Sequence, residues 1–227
     1  METISVRLNR RSGIWTDPVE QNSQPDLKDR DILLGITGGI AAYKSAILTS
    51  MLVRAGARVE VVMTESATHL VGPRTFEALT GRPVRYSMWD RDSIHPHIEL
   101  SRRAELLCIA PATANILAKA ATGLADDLLS TIILAFDGPI LLAPAMNTVM
   151  WEKPAVQRNC RTLDQDGFHF VGPEKGRLSC GESGAGRMAE PETVFDAINA
   201  LLPVKSLQLL PISIFLCTNL KIRSGGR

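Results

Sequence analysis

The sequence predicts an α/β fold, a doubly wound parallel sheet in one domain, and three observations carry that expectation. Short apolar runs recur along the chain, and each gives way to a stretch whose apolar residues return at helical spacing. Each run also ends in a turn built from Gly, Pro, Ser, Thr or Asn. Finally, 227 residues are enough for one substantial core, and no internal repeat divides them. Strands that alternate with helices imply a parallel sheet covered on both faces.

The elements follow in order. Residues 1–30 lack the apolar centre of a signal peptide and mix acids with bases, so they read as a flexible leader on a cytoplasmic protein. Ile32 to Ile36 is the first strand; it passes through Thr37, Gly38 and Gly39 into a helix running from Ile40 to Ala55. Gly56 closes that helix, and Arg58 to Met63, rich in valine, is the second strand. Thr64 to Ser66 caps a helix expected from Ser66 to Leu79. A weaker extended segment around Val84 leads into a loop that holds Trp89, His95 and His97.

Leu106 to Ala110 is the next strand and breaks at Pro111. Thr113 to Phe136 reads as two helices divided near Gly123, the second opened by Asp126 and Asp127. Ile140 to Ala143 is a further strand, followed by a helix starting at Thr148 or Pro154 and ending at Leu163. Phe168 to Val171 is the last strand. Gly172 to Gly186 reads as a functional loop, too flexible and polar for a regular element. A final helix from Glu190 reaches Leu202, and residues 203–227 form a tail with no trusted period.

Composition excludes several classes. Lys plus Arg number 25 against 24 Asp plus Glu, so nothing points to nucleic acid or an acidic membrane surface. No window is apolar for long enough to span a bilayer. Cys108, Cys160, Cys180 and Cys217 lie far apart with no histidine at ligand spacing, so neither a zinc site nor a disulfide framework is indicated. The expected partners are a small molecule or another subunit.

Ligands of doubly wound folds bind outside the carboxyl ends of the strands. That rule selects Thr37 to Ile40, Thr64 to Ser66, Pro111 to Ile116 and Pro144 to Asn147 as residues of one crevice. Gly38 and Gly39, before a helix start, can bring backbone N–H groups to a phosphate. A P-loop is disfavoured, because Tyr43 precedes Lys44 where that motif needs glycine. Thr64 and Ser66 are either helix caps or hydroxyls for the same phosphate. Thr113 and Asn115 are either caps or polar contacts to a planar ring. The Asn147 amide, which donates and accepts at once, is a turn cap, a ligand contact, or both.

The segments GITGGIAAYK, HIELSRRAE, APATAN, APAMNTVMW and GRLSCGESGAGRMAEP occur in this order. Together they resemble the phosphopantothenoylcysteine decarboxylase family of FMN-dependent cysteine decarboxylases, over residues 31–202. The resemblance is closest to the amino-terminal half of the bacterial bifunctional coenzyme A biosynthesis protein, whose other half is a synthetase. It implies a Rossmann-like flavoprotein that converts 4'-phosphopantothenoylcysteine to 4'-phosphopantetheine. Direct loss of CO2 from a cysteine carboxylate would leave an unstabilised carbanion. In the family FMN first oxidises the thiol-bearing carbon to a thioaldehyde, and the enethiolate left by decarboxylation is then reduced.

By resemblance His97 is the base, Asn147 and Met150 contact the substrate, and Cys180 donates the proton. Their residue types suit those roles, since an imidazole titrates near neutral pH and a thiol is largely protonated there. FMN is expected along Gly38, Gly39 and Ile40, with its phosphate near Thr64 and Ser66. Thr113, Ala114, Asn115, Ile116 and Ala145 are expected near the ring. The family forms homotrimers or dodecamers with flavin near subunit contacts, which implies a homo-oligomer here; a separate synthetase is one candidate partner.

Three features depart from the family pattern: the polar leader, Arg103 and Glu105 in place of Trp and Asp, and the tail, which reads as a truncation, a shifted frame or a partner contact. Two sibling activities on this fold are decarboxylation of a peptide's carboxyl-terminal cysteine and flavin prenyl transfer, the latter opposed by the Asn147 segment and Cys180. A non-catalytic flavin-binding regulator is a third alternative, but the acidic tail common in such proteins is absent.

Overall fold

The computed structural model describes residues 27–89, 94–177, 181 and 183–202. Within them, β1 (Asp31–Ile36), β2 (Arg58–Met63), β3 (Leu106–Ala112), β4 (Ile140–Pro144) and β5 (His169–Phe170) form a parallel sheet in the order β2-β1-β3-β4-β5. The helices are α1 (Ala42–Arg54), α2 (Glu65–Thr68), α3 (Pro73–Thr80), α4 (Pro96–Arg103), α5 (Ala114–Thr122) and α6 (Leu128–Ala135), then α7 (Thr148–Trp151), α8 (Pro154–Gln165) and α9 (Pro191–Leu201). An antiparallel hairpin, β6 (Glu174–Arg177) with β7 (Ser183–Arg187), stands apart from the sheet.

The sheet is covered on both faces, as expected of the doubly wound class. Ile32, Leu34 and Ile36 of β1 and Cys108 of β3 pack into one core with Leu48 and Leu52 of α1 and Phe195 and Ile198 of α9. Leu33, Leu107 and Ile109 point the other way, toward Leu117 of α5, Leu129 and Ile132 of α6 and Leu163 of α8. Burial on both sides is why the strands read as continuous apolar runs rather than alternating ones. Each fully buried leucine contributes roughly 1.5–3 kcal/mol by removal of its surface from water. Burial pushes the Cys108 thiol up to about 12, in keeping with its place in the core.

β2 lies on one side of β1 and β3 on the other, so the strand order reverses between β1 and β3. A crevice opens outside the carboxyl ends of the strands at such a point. The packing reaches back to Leu27, which is buried, and to Arg30. Arg30 Nη1 donates to Glu105 Oε2 at 2.7 Å, and the other oxygen of Glu105 accepts from the Asp31 amide at 3.2 Å. Glu105, one of the departures from the family pattern, therefore anchors the start of β1. Arg103, the other, lies 3.5 Å from Glu60 and 3.9 Å from Glu99.

Several sequence expectations are corrected. The helix expected from Ser66 to Leu79 is two helices, because Gly72 is extended and Pro73 begins a new one. β3 continues through Pro111 to Ala112, although its register with β4 shifts between Ile109 and Ala112. The helix expected after Asn147 is likewise two, α7 and α8, the second also starting on a proline. The extended segment near Val84 joins the sheet as a single bridge, with Arg85 N donating to Val61 O and Met63 N to Arg85 O. His97, placed on a loop by sequence, lies in the first turn of α4. That helix buries only Pro96, Leu100 and Ser101, too narrow an apolar stripe to register as a period. Finally, the glycine-rich segment expected as a loop contributes the two paired strands β6 and β7, with a register shift between Glu174 and Lys175.

Candidate functional site

The four strand ends selected by the sequence meet around one cavity of about 850 Å³. Thr37 ties two of them together: its hydroxyl donates to Pro111 O at 2.7 Å and accepts from the Thr113 amide at 3.2 Å. Ser45 of α1 is fully buried and donates to Ala110 O at 2.5 Å, so the start of α1 is fixed against the end of β3. α1 has no side-chain cap at Ala41, which leaves its amino end, with its partial positive charge, to a ligand or solvent.

Gly38 brings that helix start against α2. A Cβ on Gly38 would overlap Ser66 Cβ and lie 3.1 Å from the Ser66 carbonyl carbon. Only glycine permits the approach, and it places Thr64 and Ser66 beside the start of α1. Thr64 Oγ1 also accepts from Ala67 N at 3.3 Å, so capping of α2 is real and Thr64 lines the cavity as well. Thr113 begins α5 with no side-chain cap bond; Ala114 and Asn115 follow at the wall, and Ile116 is nearly buried.

At the fourth end, Asn147 Oδ1 accepts from Val149 N at 2.8 Å and caps α7. The cap fixes the side chain within the cavity wall, where Ala145 and Met150 also lie. The β6–β7 hairpin is docked on this segment. Met146 N donates to Gly186 O at 2.9 Å, and a Cβ on Gly186 would overlap Met146 O. The glycines of this stretch thus serve close backbone approach, which is why reading them as flexibility failed.

A chain of charges fastens the hairpin to α1. Lys44 is buried; its Nζ donates to Met188 O and lies 3.0 Å from Glu190 Oε2. Glu190 in turn pairs with Arg187, and Arg187 reaches Glu174 at 3.4 Å. The hydrogen bond from Lys44 holds the Glu190 carboxyl below its usual range. A second cluster joins α5 to α6, with Lys119 Nζ 2.5 Å from Asp126 and 2.6 Å from Asp127. Burial works against the charged form of both Lys119 and Asp127, but hydrogen bonds prevail: those to Asp126 and Asp127 raise the lysine, and those from Lys119 and Ser130 lower Asp127. Asp127 also caps α6 in a reciprocal box with Ser130.

Gly38, Gly39, Ile40, Thr64, Ser66, Thr113, Ala114, Asn115, Ile116, Ala145, Asn147 and Met150 all line this cavity. His97 does not. It lies on α4, its ring edge-on to His95 at 6.3 Å between centroids, and its Nδ1 is buried with no hydrogen-bond partner among the described residues. Cys180 lies outside the described residues. Sequence reasoning assigned no place in the cavity to Lys44, Lys119, Arg177, Arg187 or Glu190, which also line it. Lys44 was weighed only as a P-loop lysine, and Asp126 and Asp127 only as a helix start. The pairings that explain them are tertiary. Among the described residues no group of His, Cys, Asp and Glu is arranged to hold a metal, and no helix is long and apolar enough to cross a membrane.

Comparison with known proteins gives three findings. A family model described as Flavoprotein matches residues 20–203. The coenzyme A biosynthesis bifunctional protein CoaBC of Bacillus subtilis (strain 168) is 48% identical over 170 residues, which cover 74% of this chain and 42% of that protein. The chain thus spans less than half the length of this curated relative. Among solved structures, a PPC decarboxylase mutant complexed with pantothenoylaminoethenethiol superposes with a TM-score of 0.68 at 36% identity, covering 76% of this chain and 98% of that one. The FMN-dependent cysteine decarboxylase SpaF gives 0.68 and 36%, covering 78% and 97%.

Proposed function

The chain belongs to the flavoprotein family, and from that premise we propose that it binds FMN and decarboxylates 4'-phosphopantothenoylcysteine to 4'-phosphopantetheine in coenzyme A biosynthesis. The observation that carries this reading is the meeting of two unlike ends in one cavity. One end is a glycine-built approach of the α1 start to Thr64 and Ser66, and the other is the capped Asn147 beneath a hairpin. The residues fit FMN. Uncapped helix donors and hydroxyls suit its phosphate, and the wall formed by Thr113, Ala114, Ile116 and Ala145 is small or apolar where a planar ring has to lie.

When bound, FMN supplies the reversible two-electron chemistry that no side chain offers. The protein does the rest. Asn147 and Met150 hold the cysteine end of the substrate in place, and His97 takes the thiol proton as the adjacent carbon is oxidised. The carboxylate then leaves as CO2, and Cys180 gives a proton to the carbon skeleton while the hydride taken up by the bound flavin is given back, so net redox change is zero. His97 lies off the cavity of its own chain, which supports a homotrimer or a dodecamer in which one protomer's histidine serves the next protomer's cavity. A cytoplasmic location accords with the reading. The relatives are bifunctional proteins, so in them the second activity is fused rather than separate.

The test is to purify the chain, record its absorption spectrum and measure CO2 release from 4'-phosphopantothenoylcysteine. A yellow, active protein is expected. A colourless protein that takes up no FMN overturns the reading.

A further inference from the structure

Four cations line the cavity: Lys44, Lys119, Arg177 and Arg187. Lys44 is met by Glu190 at 3.0 Å, Lys119 by Asp126 and Asp127, and Arg187 by Glu190 and Glu174. Arg177, exposed at the end of β6, has no carboxylate within ion-pair distance among the described residues. Its position is also particular. The hairpin is docked beside Asn147 through Met146 and Gly186, on the β4 side, whereas the glycine approach lies at the ends of β1 and β2. Neighbouring strands are about 4.8 Å apart, so the two regions are separated by roughly 10–15 Å. Gly184, the register partner of Arg177's neighbour Gly176, abuts Thr148 of α7, which places Arg177 at the Asn147 end of the cavity.

We propose that Arg177 binds the phosphate of the substrate and makes the site selective for a phosphorylated thiol over an unphosphorylated or peptide one. The proposal rests on the function proposed above. The other three cations are each neutralised by carboxylates of the same wall, so a dianion entering the cavity gains most from the arginine that has none among the described residues. A guanidinium also offers a planar fork that matches two phosphate oxygens, which a lysine ammonium cannot reproduce. Arg177 is exposed and makes no side-chain hydrogen bond or ion pair among the described residues, so its replacement is expected to leave the hairpin in place, which a thermal melt of each variant checks.

The experiment uses the flavin-loaded full chain and compares 4'-phosphopantothenoylcysteine with pantothenoylcysteine, for wild type, Arg177→Gln and Arg177→Lys. Wild type is expected to favour the phosphorylated substrate by about 10- to 100-fold in kcat/KM, the range of a charge-assisted hydrogen bond. Arg177→Gln should raise KM for the phosphorylated substrate alone and erase the preference, Arg177→Lys should recover part of it, and flavin absorbance should be unchanged in both. Equal loss for both substrates, or a wild type without preference, overturns the proposal. If wild type releases CO2 from neither, the functional reading fails, and Arg177 is judged by calorimetry of 4'-phosphopantothenate against pantothenate. A phosphate preference lost in Arg177→Gln then supports the assignment, and equal affinities overturn it.

Discussion

Replacing Gly38 with alanine tests the cofactor end of the cavity directly. The added methyl would overlap Ser66 Cβ and lie 3.1 Å and 3.3 Å from the Ser66 carbonyl carbon and Cα. Two of these three neighbours are backbone, so no side-chain rotation relieves the clash; α2 or the start of α1 has to move. Forcing one methyl into a packed contact costs about 1–3 kcal/mol. If that cost falls on the FMN-competent geometry, affinity drops by roughly 5- to 150-fold, since about 1.4 kcal/mol is a factor of ten. The assay is titration of the apoprotein with FMN, read by quenching of flavin fluorescence, with a thermal melt to separate local from global loss. The double variant Gly38→Ala with Ser66→Gly removes the worst overlap but leaves the backbone contacts, and should recover only part of the affinity. FMN binding by Gly38→Ala at wild-type strength would refute the argument that this approach shapes the cofactor site.

Gly186→Ala attacks the other end. At φ +128° a side chain is strained, and the methyl would also overlap Met146 O. Undocking the hairpin is expected to destabilise the fold by about 1–3 kcal/mol and lower kcat/KM more than tenfold, with FMN affinity kept; matched titrations and rate assays check this. Glu190 gives a pH signature. Lys44 depresses its folded pKa below the ordinary 4.5, so its stabilisation is present above that value and is lost as pH falls through the folded one. Below pH 4.5 the melting temperature of wild type should fall more steeply than that of Glu190→Gln, and parallel curves would count against the Lys44 pairing. His97→Asn should abolish reduction of flavin by substrate, whereas Cys180→Ser should still reduce flavin and release CO2 but fail to finish the saturated product. Stopped-flow absorbance and product mass read both.

Much of this was legible because local physics and tertiary role coincide. Valines at 59, 61 and 62 fixed β2 at Arg58–Met63, the boundaries expected. Strand ends rich in Gly, Thr and Asn marked the crevice because the fold class alone dictates where ligands bind. What escaped the sequence depends on partners distant along the chain. α4 gains its place from Leu100 in the second core, not from a period of its own. Lys119 is legible only once α5 and α6 are known to bring Asp126 and Asp127 to it. The hairpin glycines carry two meanings, and only the contact of Gly186 with Met146 selects close approach over freedom. His97 is the opposite case: nothing local marks it, and its Nδ1 is buried with no partner among the described residues.

The bond between Lys44 and Met188 spans 144 positions of the chain, whereas the tie between Thr37 and Pro111 spans 74. Closing longer loops costs more chain entropy, and long-range contacts tend to be made late. The Lys44–Met188 tie, and with it the proposed substrate end, is therefore expected to form late and to open first. Amide exchange should show Gly186 and Met188 opening while the amides of β1 remain protected. A chain caught midway in folding would already possess the seat for its cofactor, yet have no means of holding what that cofactor is to act upon.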